Sequence, residues 1–314
     1  MAMLRAYEIL CGRGTWFALL LALGTVTPAW AFSDGGVTDG RLFSVNNQNA
    51  DNTLLWKVER SGLRPSYVFA TINSEDPRVT RLPSAAVRAF RRSDAFAMEM
   101  IPDHAALVRM SAAMFISDGP DLKSLLGEKY FKKLAVLMGN YGIAAQVLLK
   151  LKPWVAFTAL TMPKPEDGVF QDVILYGAAL SDGKNVHGLE TADEQVSIFE
   201  NIRLDDQVAM LKDVIDHHAM LAHLNKEIVT RYAQGDLNGV AALQEEYLAT
   251  GDQRLIHAFK RHVVDDHSLR IVNRILPRIE EQNAFIAIDA ELLPGDRGVL
   301  HLLQQRGYRI SPVY

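Results

Sequence analysis

Carboxylates and histidines are the side chains of this sequence that could do chemistry, and some of them fall at informative spacings. Asp213/His217 and His223/Glu227 stand four apart, which puts each pair on one face of a helix. With Asp216 and His218 beside them they resemble half of a metal site, although acid-paired histidines on a solvated face satisfy the same spacing. His187 and Glu190 flank the end of a short apolar run and could line a pocket as binding residues; local hydrogen bonding explains a polar pair there equally well. Glu99 stands between Met98 and Met100 in an apolar stretch, so its carboxylate would be held out of water, a setting used to tune a proton-transfer group. A satisfied glutamate left from an older site fits the same pattern. His257, His262, His267 and His301 show no complete ligand spacing, and no Gly-x-Ser-x-Gly elbow is present. Trp154 opens an apolar helix and reads as core rather than as a stacking platform.

The chain has 314 residues, of which 49% are hydrophobic and 22% charged, with a net charge of −4. That composition excludes a disordered, collagen-like or polytopic membrane protein. With no basic excess, nucleic acid is not an expected partner. Arg81, Arg88, Arg91 and Arg92 read as one solvated helix face.

Residues 1–31 read as a secretory signal: Arg5 and Arg13, an apolar core from Trp16 to Leu23, then Ala29-Trp30-Ala31 with cleavage expected after Ala31. The apolar core falls short of the roughly 20 residues that cross a bilayer. The mature protein is therefore expected to be periplasmic or secreted, not integral to a membrane. Residues 32–50, rich in Gly, Ser, Asn and Asp, read as a flexible lead-in, and 51–314 as one domain. Cys11 leaves with the signal and is the only cysteine, so no thiolate nucleophile, disulfide or zinc–thiolate site is available to the mature chain.

These residues must be positioned by the elements around them. Leu54–Val58 and Ser66–Thr71, separated by the Gly62/Pro65 turn, predict a hairpin. A helix is expected from Pro83 to about Arg92, then a short buried strand at 95–100. From about 104 to 182, apolar residues three and four apart predict several helices, broken at Asn140-Tyr141-Gly142 and Pro163-Lys164-Pro165. A strand is expected at 186–189, followed by the capping box Thr191-Ala192-Asp193-Glu194 and a helix to about Ile202. A long helix over 205–234 and further helices to about 282 lead to an apolar strand at 284–288, a helix near 296–305 and a last strand at 308–310. The fold class is mixed α/β, a central sheet drawn from both ends of the chain and flanked by a large helical block.

The order of these segments resembles the TraB/GumN family. Leu55-Trp56-Lys57-Val58, Pro65 to Asn73, Leu82-Pro83, Met98-Glu99-Met100, Lys152-Pro153-Trp154, Gly183 to Thr191, Asp205-Asp206-Gln207, Gly235-Asp236, Leu293-Pro294-Gly295 and Gly307-Tyr308 carry the likeness across nearly all of 54–314. The resemblance implies kinship with Tiki-like metalloproteases. Their proposed metal site uses two Gly-x-x-His motifs, each just after a strand, and a glutamate on a neighbouring strand. Glu99 takes the glutamate position. The first motif reads Ala70-Thr71-Ile72-Asn73 and the second Asp289-Ala290-Glu291-Leu292, so asparagine and leucine occupy the histidine positions. An expected Arg-Asn pair reads His267-Ser268, and an expected aspartate reads Phe170.

Leucine offers no lone pair, and an amide oxygen binds a transition ion far more weakly than imidazole does. The resemblance with these replacements implies a non-catalytic relative with no cofactor, binding a peptide, a protein or an envelope component in the old substrate cleft. Homo-oligomerisation and a purely scaffolding role are compatible with it. The alternative is an active hydrolase with a rebuilt site. Asn73, Glu75, Glu99, Asp289 and Glu291 would then supply oxygens to Mg, Mn or Ca. The simpler account has Asp289 and Glu291 capping the next turn.

Overall fold

The computed structural model describes residues 52–163, 169–248 and 266–314. The signal and lead-in expected over 1–50, and the Lys164-Pro165 part of the expected helix break, lie outside the described residues.

A six-stranded mixed sheet forms the centre, in the order β4-β3-β5-β2-β1-β6. Strands β1 (Leu55–Glu59) and β2 (Ser66–Thr71) make the expected antiparallel hairpin, with Leu55 opposite Phe69. Strand β6 (Arg309–Pro312) pairs antiparallel with β1 and closes that edge. The other four, β2, β3 (Ala95–Met98), β4 (Asn185–Gly188) and β5 (Ala284–Asp289), run parallel to one another. Every residue of β5 is buried, which explains why Ala284–Ile288 reads as a continuous apolar run rather than an alternating one. Phe285 packs on Phe69 and, edge-on, against Phe90, with ring centroids 5.7 and 5.4 Å apart.

The helices among the described residues are α1 (Pro77–Thr80), α2 (Ser84–Arg92), α3 (His104–Ala113), α4 (Leu122–Leu126), α5 (Glu128–Gly139), α6 (Ala145–Leu148), α7 (Pro153–Thr161), α8 (Gln171–Ser181), α9 (Ala192–Glu200), α10 (Leu204–Ala233), α11 (Leu237–Leu248), α12 (Asp266–Glu281) and α13 (Val299–Gln305). Helix α7 is buried along its whole length and packs against α10. Trp154 belongs to that core, stacked on Phe199 with centroids 5.3 Å apart. Helices α2, α8 and α12 pack directly on the sheet.

The elements end where local chemistry stops them. Gly183, with φ +65°, takes the left-handed turn that ends α8 and feeds β4. The Thr191/Glu194 capping box forms as expected, starting α9 directly after the β4 loop. Strand β3 stops at Met98, one residue short of Glu99. The short helix α1, opened by the Asp76 cap on the Arg78 amide, carries too few residues for periodicity to reveal it.

Candidate functional site

Parallel strands share a direction, so β2, β3, β4 and β5 all deliver their C-terminal ends to one edge of the sheet, the edge where open α/β sheets hold ligands. Asn73, Glu99, Glu190 and Asp289 all lie at that edge. Two backbone bonds extend the β3–β4 ladder beyond the strands, Leu189 N to Met98 O at 2.9 Å and Glu190 N to Glu99 O at 2.6 Å. They place Glu190 beside Glu99. Across the other neighbour, the Asp289 amide donates to Oε1 of Glu99 at 3.0 Å.

Helix α12 completes the cluster from its first turn. Nε2 of His267 lies 2.7 Å from Oε2 of Glu190, Arg270 reaches Oε1 of Glu190 at 3.1 Å, and the Gln195 amide donates to Oε2. One turn on, Arg274 donates to the Leu189 carbonyl and grips both oxygens of Glu194 at 2.6 and 2.7 Å. Those bonds hold the Glu194 carboxyl down at about 2. The row His267, Arg270, Arg274 follows positions i, i+3 and i+7, one face of a helix. That row is the signal in the sequence that marks α12 as the partner of the Leu189–Glu194 segment.

Among the described residues, the acidic and histidine side chains gathered within ligand distance are Glu99, Glu190 and His267, each offering an atom within 4.8 Å of the others. All three are buried, and Oε2 of Glu99 has no hydrogen-bond partner. Asp172, in the first turn of α8, adds a further buried carboxyl. Burial foremost, then the Glu99 charge, raises it to about 7, against a hydrogen bond from Thr71. Beside it, the Tyr232 hydroxyl lies 2.7 Å from the Ala70 carbonyl and 2.8 Å from Oε1 of Gln171, and burial pushes that phenol well above its ordinary range.

Of the residues singled out from the sequence, Glu99 and Glu190 are brought together. Asp289 is buried next to them, but its carboxylate caps the following turn on the Glu291 amide at 2.9 Å, as the simpler account has it. Glu291 is half-buried in that turn, and neither acid joins the gathered group. Asn73 is buried just past β2, and Leu292 belongs to the apolar core. His187 sits away from the cluster, 3.5 Å from the Gln282 amide, and desolvation, followed by Arg278, lowers its pKa. His217 turns back on its own helix, with Nδ1 2.9 Å from the Asp213 carbonyl, while Asp216 is taken by Tyr130 and Lys133. His267 carries no ligand spacing in the sequence because its partners are 77 and 168 residues away.

A profile of the TraB/PrgY/gumN family matches residues 54–312. The chain belongs to that family. It is also similar to a protein named metalloprotease TIKI2 from Danio rerio, with 22% identity over 321 aligned positions. The alignment takes in 84% of this chain and 62% of that relative's length. No solved structure matches.

The family's implied metal can be tested against the residues present at the two motif positions. Leu292, with 3% exposure in a hydrophobic cluster, has no donor atom, and Asn73 offers only an amide. Of the ligand set that the resemblance implies, Glu99 alone is then a strong donor. This TraB/PrgY/gumN chain does not fit a transition ion at those positions.

Proposed function

We propose that the chain is an exported, non-catalytic member of the TraB/PrgY/gumN family that holds a peptide, a protein segment or an envelope component. The observation that carries this reading is Leu292, an alkyl side chain packed in the core where the resemblance places a metal-binding imidazole. A zinc-type hydrolase needs about three protein ligands and an open position for water, and the motif positions supply one strong ligand.

Binding is supported by a cleft of about 420 Å³ beside the Leu293-Pro294-Gly295 turn, lined by Trp56, Leu300 and Tyr314 with His301, Gln304 and Asp236 as polar contacts. Its size and mix of aromatic and polar groups suit a short peptide. Incubation of the purified chain with a denatured protein and mixed peptides, plus Zn²⁺ or Mn²⁺, is expected to give no cleavage. Peptide binding is expected, reduced at least tenfold by Trp56→Ala with His301→Ala. Metal-dependent cleavage that Glu99→Gln abolishes would sink the reading, as would the lack of any peptide bound.

The export part rests on residues 1–31, and no helix among the described residues is long and apolar enough to cross a membrane. Cell fractionation should recover an envelope or secreted form whose first residue is Phe32. A cytoplasmic form retaining Met1 contradicts export.

One observation favours the hydrolase alternative. Glu99 keeps an unbonded oxygen near Asp172, a carboxyl raised to about 7, where a general acid or base works best at neutral pH. The cleavage assay decides between the two.

A further inference from the structure

We propose that Glu99, Glu190 and His267 bind one divalent transition ion in a buried site that fastens the first turn of α12 to the ends of β3 and β4. The site differs from the one implied by the family motifs, sharing Glu99 alone with it, and it stands independently of the binding role argued above.

Geometry comes first. Ligand atoms held about 2.0–2.3 Å from one ion lie about 3 Å apart when adjacent and up to about 4.6 Å apart when opposed. The three candidate atoms lie within 4.8 Å of one another, the span of a single coordination shell. The 2.7 Å between His267 Nε2 and Glu190 Oε2 is close to the separation of neighbouring ligands.

An independent observation comes from Glu99 itself. It is 5% exposed, its Oε1 accepts from the Asp289 amide, and its Oε2 accepts from nothing. A buried carboxylate oxygen with no donor costs more than an ordinary hydrogen bond returns, so such an atom suits a cation beside it. Glu190 is met by the Gln195 amide at Oε2 and by an ion pair with Arg270 at Oε1, partners that orient a ligating carboxylate.

The donor set then narrows the ion. Two carboxylates and one imidazole suit Mn²⁺, Fe²⁺ or Zn²⁺ better than Ca²⁺ or Mg²⁺, which favour all-oxygen shells. Glu190 and His267 have side chains with 0% exposure. Three protein ligands leave one further position on a four-coordinate ion, and burial keeps that position away from bulk water, so the ion's expected role is to fasten the elements that hold it. The donors come from three separate parts of the chain, so one ion would tie the helix to two strands.

The test uses the full chain, stripped with a chelator, then titrated separately with Mn²⁺ and Zn²⁺ by calorimetry and elemental analysis, with Co²⁺ as an optical probe of the imidazole. The expected result is one ion per chain and a higher melting temperature when loaded. Glu99→Gln and His267→Gln should each lower occupancy at least tenfold, and His267→Gln should shift the Co²⁺ spectrum. Glu99→Gln preserves shape, so it tests the site even if His267→Gln loosens α12. Failure of the wild-type chain to take up either ion at unit stoichiometry overturns the proposal. So does uptake undiminished in both variants. A stoichiometric ion without peptide cleavage supports this site and leaves the binding role standing; absence of the ion removes this site alone.

Discussion

Asp172→Asn should stabilise the chelator-treated protein more at pH 8 than at pH 5, by about 2–3 kcal/mol, in urea titrations at the two pH values. The Asp172 carboxyl moves from an ordinary 3.8 to about 7 in the fold, first because it is buried and second because Glu99 is nearby. A raised folded value means that the native state holds the proton more tightly than the unfolded chain does. The stability it contributes is complete below about 3.8 and is lost as the pH rises through about 7. Between pH 5 and that upper value lie two pH units, each worth about 1.4 kcal/mol. Asparagine cannot ionise, so the variant escapes the loss, and its amide hydrogens can face the unbonded Glu99 oxygen. Equal effects of the substitution at the two pH values would show that Asp172 is not desolvated in the way described.

Glu190→Ala should cost about 3–5 kcal/mol, a large loss for a single polar residue. The carboxylate is met by His267, Arg270 and Gln195, two of them from the helix that packs on β5. Removing it leaves three donors facing an apolar methyl group, and breaking a buried pair from one side costs more than the pair itself contributes. Arg274→Ala is the control. Its side chain is 40% exposed, and its ion pair with Glu194 should be worth about 1 kcal/mol or less after screening by solvent. Equilibrium unfolding of the two variants in chelator separates the cases. If Glu190→Ala falls within 1 kcal/mol of the control, the network around α12 is not what fastens it.

Local pattern was enough for much of this molecule. The hairpin of β1 and β2, the Thr191 capping box, the long helix α10 and the apolar strand β5 all follow from short-range rules of period, cap and turn chemistry. Boundaries moved by a residue or two, as at β3, because strand ends are set by ladder bonds to neighbours distant in sequence. The sequence by itself also determined the family resemblance, since residue identity at fixed spacing requires no coordinates.

What gathers at the sheet edge was decided only in three dimensions. Parallel strands connect through long crossovers, so Glu99, Asp172, Glu190 and His267 are far apart along the chain and carry no shared spacing. In the sequence His267 stands where the resemblance expects an arginine and carries no ligand spacing; the docking of α12 sets it against Glu190. Asp289 and Glu291 were both candidates to join Glu99, yet Oδ1 of Asp289 turns to cap the Glu291 amide, and neither acid enters the gathered group. Direction and burial belong to packing, and packing depends on pairs of residues that no local window contains.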